Sequence, residues 1–285
     1  MRALRKARAG PGAELLDLPV PEPGEGEVLV RVHGASVCGT DLHIYEWNEW
    51  AAARIPRVPM TFGHEVAGYV EAVGPEVHHI QPGAFVAAET HIACGRCSTC
   101  RTGRAHICEN LRILGVDTEG AFAEYVVIPA ANAWIVGEGI HPDVASVMEP
   151  FGNAVHATFG TEGGEDLATN PVAVIGCGPI GMFAVGIARA AGAFKVIAIE
   201  PNDYRRELAG KMGADQLVDP KSEDPVRAVL YATGGIGAEV VLEMSGNSTA
   251  IDQGTRMLAR GGRMRRKSTR LNSSHIQKSR MPSSA

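Results

Sequence analysis

The sequence predicts an α/β protein of two domains, a β-rich N-terminal half followed by a doubly wound parallel sheet. Three observations predict it. Residues 1–155 alternate short β-branched runs with Gly/Pro turns, residues 171–258 alternate apolar strands with helical stretches, and the first of those strands leads into a glycine-rich loop that opens a helix. With 285 residues, 45% of them apolar, the chain has room for two such cores and no apolar run long enough to cross a bilayer. The start, Met1-Arg-Ala-Leu-Arg, leads into polar, Gly/Pro-rich sequence rather than a secretory core, so a cytoplasmic location is expected.

In the first half the expected strands are Glu27–His33, Val66–Val73, Ala84–Ala87 and Ala121–Ile128, with turns at Pro21-Glu-Pro-Gly, Val73-Gly-Pro and Gln81-Pro-Gly. Strands this short and this evenly spaced suggest a small, partly open β-barrel. From Met148 the pattern turns helical. Pro171–Ile175 then reads as a strand buried on both faces, and Gly176-Cys-Gly178-Pro-Ile180-Gly181 follows it into a helix over Met182–Ala191. Strands at Lys195–Glu200, Gln216–Val218 and Ala238–Met244 alternate with helices at Tyr204–Met212, Pro225–Tyr231 and Ser248–Leu258.

The net charge of -5 hides an asymmetry. Residues 265–285 hold six of the 27 Lys/Arg and no acid, which leaves 21 basic against all 32 acidic residues in the body. An acidic body argues against a nucleic-acid partner, and nothing suggests a membrane one. The basic stretch carries six serines and a few scattered apolar residues, too sparse for a helix or strand face. Gly261-Gly262-Arg263-Met264 looks like a turn into a strand that never arrives. Residues 265–285 are therefore expected to be a non-native, disordered tail of the kind produced when an unrelated oligonucleotide is translated in frame, leaving 156–264 an incomplete domain.

Four of the six cysteines stand at C-x2-C-x2-C-x7-C: Cys94, Cys97, Cys100 and Cys108. Without a secretory leader this spacing points to metal rather than disulfides, and four thiolates can close a tetrahedron around one structural zinc. An iron–sulfur cluster is the rival, but the short gap and proline it wants at the last cysteine are missing. Cys38, His64 and Glu65 supply a softer mixed set, a thiol, an imidazole and a carboxylate, of the kind that leaves one position open on a catalytic zinc. The glycine loop lies between strand and helix, and Glu200 ends the next strand at the offset of the Rossmann dinucleotide fingerprint. Gly176, Gly178 and Gly181 would admit a pyrophosphate at the helix N-terminus, and Glu200 would accept from ribose hydroxyls, favouring NAD over its 2′-phosphate form. Cys177 reads as a small packing residue.

Taken together, Cys38-x-Thr40-Asp-x-x-His43, Gly63-His64-Glu65, the four-cysteine lobe and the glycine fingerprint resemble the zinc-dependent medium-chain dehydrogenases. Within them, Cys38–Trp50, Glu89-Thr-His-Ile-Ala-Cys94 and Glu149-Pro-Phe-Gly-Asn-Ala-Val resemble the branch that acts on L-threonine. The resemblance implies a chaperonin-10-like catalytic domain (1–155), a Rossmann domain (156–264) and a homotetrameric full-length parent. It also implies that Glu65 and Glu149 alternate as zinc ligand or near neighbour, that Thr40 and His43 relay a proton, and that Ile180, Glu200 and Arg205 contact NAD. The residues alone allow blander readings: Glu149 as a helix-start carboxylate, Thr40 and His43 as a turn hydroxyl and a surface imidazole, Arg205 as a solvated helix residue. The implied activity is oxidation of L-threonine to 2-amino-3-oxobutanoate with NAD. The alternatives are a polyol or secondary-alcohol dehydrogenase, separated by the stretch Tyr45–Trp50, and a zinc- and NAD-binding fragment without turnover.

Overall fold

The computed structural model describes residues 1–160, 164, 166–266 and 277–278. It divides into two compact units, Met1–Glu149 and Pro150–Ala285.

In the first unit the strands are β1 (Arg2–Lys6), β2 (Glu14–Asp17), β3 (Glu27–Ser36), β4 (Met60–Thr61), β5 (Glu65–Val73), β6 (Phe85–Ala88), β7 (His91–Ile92), β8 (Arg112–Ile113), β9 (Tyr125–Pro129) and β10 (Ala133–Ile135). A five-stranded antiparallel sheet runs β10-β6-β5-β3-β9, and a three-stranded one runs β2-β1-β4. Residues 122–124 stitch the two together, since Leu4 N–H donates to the Phe122 carbonyl at 2.8 Å and Val32 N–H to that of Glu124 at 2.9 Å. The result is the partly open barrel that the short strands suggested. Its centre holds Val28, Val30, Val66, Val70, Val86 and Val126, β-branched residues that alternate inward along their strands.

Five helices belong to or begin in this unit: α1 (Gly39–Glu46), α2 (Glu49–Arg54), α3 (Ser98–Arg101), α4 (Pro142–Ala145) and α5 (Met148–Phe159). α1 starts at the end of β3, so the chain leaves the sheet through Cys38. Residue His64 lies just before β5, and the β3–β5 register pairs Ser36 with Glu65. That pairing brings both halves of the mixed donor set to one end of one strand pair. Gly63 is required there: its φ is +94°, and a Cβ would come within 2.7 Å of the Phe122 ring. The four-cysteine segment is a separate lobe, pinned at its base by the pairing of β7 with β8.

The second unit is built on β11 (Pro171–Ile175), β12 (Lys195–Ile199), β13 (Gln216–Val218), β14 (Ala238–Glu243) and β15 (Leu258–Arg266), with helices α6 (Pro179–Ala190), α7 (Asp203–Lys211), α8 (Pro225–Ala232) and α9 (Ser248–Arg256). The sheet order is β13-β12-β11-β14-β15, all parallel, with β16 (Gln277–Lys278) antiparallel on its edge. The order turns back on itself at β11, where chain crossovers diverge to opposite sides, the topological switch point of a doubly wound sheet. Val172, Val174, Val196 and Val240 pack under one face and Ala173, Ile175, Ile197 and Val241 under the other, which explains the unbroken apolar runs in the sequence. α6 begins at Pro179 rather than at Met182, because proline suits the first helical position, where its missing N–H has no partner to lose.

One expectation is overturned. A strand does run through the Gly261-Gly262 pair: β15 aligns Val241 with Met264, Leu242 with Arg265 and Glu243 with Arg266. It was hidden because its residues are so basic; the structure sets carboxylates beside them. Arg265 is buried against Asp166, at 2.8 and 2.9 Å, and against the Thr158 carbonyl, while Arg266 lies 3.5 Å from the fully buried Glu243. The first two residues of the supposed tail are thus part of the sheet. The rest of that segment lies outside the described residues, apart from Gln277 and Lys278.

Candidate metal centres and the glycine loop

Ligand atoms of Cys38, His64 and Glu65 lie within 4.8 Å of one another. His64 and Glu65 are each 6% exposed, so the trio offers two anionic ligand types and an imidazole in a largely dry setting. Each donor is held by its surroundings. Cys38 is the N-cap residue of α1, and its N–H donates to the Asp41 carboxylate at 2.8 Å. The Ser36 hydroxyl donates to Glu65.

Asp41, which sequence reasoning passed over, also faces His64: its Oδ1 lies 3.4 Å from His64 Nδ1. That is long for a hydrogen bond, and neither atom has a better partner among the described residues. A carboxylate behind a metal-binding imidazole fixes the ring and raises its basicity, leaving Nε2 for the metal. Burial alone would disfavour the charged imidazole, but Asp41 and then Cys38 outweigh it and hold His64 well above the usual histidine range. A buried imidazole faced by a carboxylate and a thiol is a donor set that fits a cation. The signal for Asp41 was its place three residues after an N-cap, where a carboxylate satisfies the helix start.

Glu149 stands second in α5, half-buried, and its carboxylate is not part of the trio. Thr40 and His43 sit three residues apart on α1, so they are neighbours on the helix surface. Thr40 is buried and His43 exposed, which puts a hydroxyl near the trio's end of the helix and an imidazole in water.

Cys94, Cys97, Cys100 and Cys108 also converge within 4.8 Å, and all are free thiols. Cys97 Sγ lies 3.4 Å from that of Cys100 and 3.8 Å from that of Cys108. Thiolates about 2.3 Å from one zinc would be about 3.8 Å apart, so the set fits a closed tetrahedral site. Backbone N–H groups of Cys94 and Asn110 donate to Cys108 Sγ, both at 3.3 Å. The Thr99 hydroxyl, followed by the N–H groups of Cys100 and Glu109, pulls the Cys97 thiol down to about 5, while burial and then the neighbouring thiols push Cys100 up to about 12. Four clustered thiols cannot all ionise without a cation to offset the repulsion.

In the second unit, Gly181 packs against the Gly176 carbonyl so closely that a Cβ would sit 1.9 Å from it. This contact seats α6 on the loop and leaves the Gly178 cap and the first turn to face a ligand. Glu200 is buried and accepts from Cys177 N–H at 2.7 Å and Asn202 N–H at 3.0 Å. It therefore holds the loop's shape as well as carrying charge. Burial, with Glu200 second, pushes the Cys177 thiol up to about 12, which fits its reading as a packing residue. Ile180 packs inward against Ala154 and Ile187, and Arg205 is exposed on α7.

Residues 24–138 match the model of the alcohol dehydrogenase GroES-like domain and residues 179–266 that of the zinc-binding dehydrogenases. Over 264 residues the chain is 52% identical to the L-threonine 3-dehydrogenase of Symbiobacterium thermophilum, covering 93% of this chain and 74% of that protein. This chain belongs to the zinc-dependent medium-chain dehydrogenases. The L-threonine 3-dehydrogenase of Bacillus subtilis is 50% identical over 263 residues, 92% of this dehydrogenase and 74% of the relative. Among solved structures, alcohol dehydrogenase TADH from Thermus sp. ATN1 superposes with a TM-score of 0.83 at 32% identity, covering 93% and 76% of the two chains. A zinc-binding dehydrogenase from Sinorhizobium meliloti 1021, solved with NADP, gives 0.84 at 34% identity over 92% and 75%. The family membership supports zinc and a nicotinamide dinucleotide as the cofactors and a small molecule as the substrate. Among the described residues no helix is long and apolar enough to cross a membrane.

Proposed function

We propose that this dehydrogenase oxidises L-threonine to 2-amino-3-oxobutanoate with NAD, on a catalytic zinc held by Cys38, His64 and Glu65, with a second, structural zinc in the four-cysteine lobe. The observation that carries the reading is the convergence of the mixed trio in a chain about half identical to L-threonine 3-dehydrogenases over nearly its whole length.

When bound, zinc polarises an alcohol oxygen and lowers its pKa. The chain's own residues do the rest. Asp41 orients His64, and Thr40, two residues from the ligand Cys38, takes the hydroxyl proton and passes it toward His43, one helical turn further along α1, and solvent. Glu149, at the start of α5, supplies a further carboxylate to the centre, as ligand or near neighbour. Gly176, Gly178 and Gly181 shape the pyrophosphate site, with Ile180 and Arg205 beside it, and the Glu200 carboxylate disfavours a 2′-phosphate, which makes NAD the partner for the hydride leaving the substrate's β-carbon.

A polyol or secondary-alcohol dehydrogenase would share metal and cofactor. Steady-state NADH formation with threonine, sorbitol and butanediol separates the readings, and threonine is expected to give the highest kcat/KM. No turnover with any of them would favour a zinc- and dinucleotide-binding fragment. A cytoplasmic homotetramer without nucleic-acid or membrane partners is the assembly proposed for the full-length parent, testable by sedimentation.

A further inference from the structure

We propose that Asn48 is a positioning residue for the proton relay, one that holds neutral His43 as its Nε2–H tautomer and fixes the ring in place. The inference rests on the reading of His43 as a relay member. α1 ends at Trp47, which adopts the left-handed conformation with φ 54°, and this reverses the chain so that Asn48 folds back onto the helix it has just left. Asn48 N–H then donates to the His43 carbonyl at 3.3 Å. Its side chain does two further things: Oδ1 accepts from Ala51 N–H at 3.0 Å, capping α2, and Nδ2 lies 2.8 Å from His43 Nδ1.

The cap decides the chemistry at the ring. Because Oδ1 is committed to the N–H of Ala51, the amide cannot turn over without setting its own NH2 against that donor. The NH2 group has only protons to offer, so His43 Nδ1 must present its lone pair, and the proton of the neutral ring stands on Nε2. The Trp50 ring also lies beside the imidazole, 5.9 Å between centroids and tilted by 54°. His43 therefore shows an N–H, not a lone pair, on the edge away from Asn48. It can take up a proton only as the Asn48 amide lets go of Nδ1, which ties relay through His43 to the turn between α1 and α2.

Long-range proton–nitrogen spectra of the full chain labelled with nitrogen-15 histidine test this without turnover, with His43→Gln identifying the signals of His43. Above the histidine titration range the wild-type ring is expected to show an unprotonated Nδ1 and a protonated Nε2. Asn48→Asp keeps an acceptor for Ala51 but offers the ring an acceptor in place of a donor, so the proton should move to Nδ1. Asn48→Ser keeps the cap without reaching the ring and should give a mixture of tautomers. A wild-type ring protonated at Nδ1, or the same tautomer in both variants, would overturn the proposal. A chain inactive on threonine that shows the expected shifts would instead overturn the reaction and leave the hold of Asn48 on the ring standing.

Discussion

Asp41 touches both halves of the mixed metal centre: one carboxylate oxygen takes the Cys38 N–H at 2.8 Å, and the other faces His64 Nδ1 at 3.4 Å. A single side chain, next in sequence to Thr40, thus sets the start of α1 and faces the imidazole. Replacing it by asparagine should keep a helix cap and lose the anion. Zinc affinity at this centre is expected to fall about 10- to 100-fold, measured by chelator competition, with the four-cysteine site unchanged as the internal reference. Equal affinities in the two proteins would show that the pairing does not support the metal.

The four-cysteine lobe has the two short strands β7 and β8 at its base, and its cysteines are half-buried apart from the buried Cys108. The proposed structural zinc would supply much of its order. Cys94→Ser should remove one zinc from the chain and lower the melting temperature by about 5 °C or more, read by metal analysis and calorimetry.

Gly181 leaves no space for a side chain over the Gly176 carbonyl. Gly181→Ala should push α6 off the loop, weaken NADH binding at least about tenfold in a fluorescence titration, and destabilise the chain by about 1–3 kcal/mol. Zinc content should not change.

Arg54 at the end of α2 makes a two-pronged pair with Asp117, both contacts at 2.6 Å. Burial opposes ionisation of Asp117, but Arg54 and the Ile113 N–H outweigh it and hold the carboxyl below its usual range. A lowered folded value means the stabilisation is complete above the ordinary carboxylate pKa of about 3.9 and is lost as pH falls below it toward the folded value. Asp117→Asn should therefore destabilise the protein by about 1–3 kcal/mol at pH 7 and by progressively less below about pH 4, measured by denaturant unfolding at several pH values.

Much of this was legible in the sequence because the signals are local. Cys94 to Cys108 carries its site in its spacing, and Pro171–Ile175 followed by Gly176–Gly181 carries strand, loop and helix start in eleven consecutive residues. What was not legible depends on partners far along the chain. β15 looked too basic to be a strand because Asp166 and Glu243, which receive its arginines, lie distant in sequence. Asp41 was passed over because the His64 it faces lies far along the chain, at the entry to β5. Asn48 lay inside the stretch Tyr45–Trp50, but its contact with His43 was not legible because it depends on the turn that Trp47 makes.

The central claim is that two separate donor sets in this chain each hold one zinc, the mixed set being the reactive one. Zinc per chain, measured after exhaustive dialysis of the wild type and of Cys38→Ser, tests it most directly. The account predicts about two in the wild type and about one in the variant, with the remaining ion released only by Cys94→Ser. An undiminished count in Cys38→Ser, or a single zinc in the wild type, would contradict it.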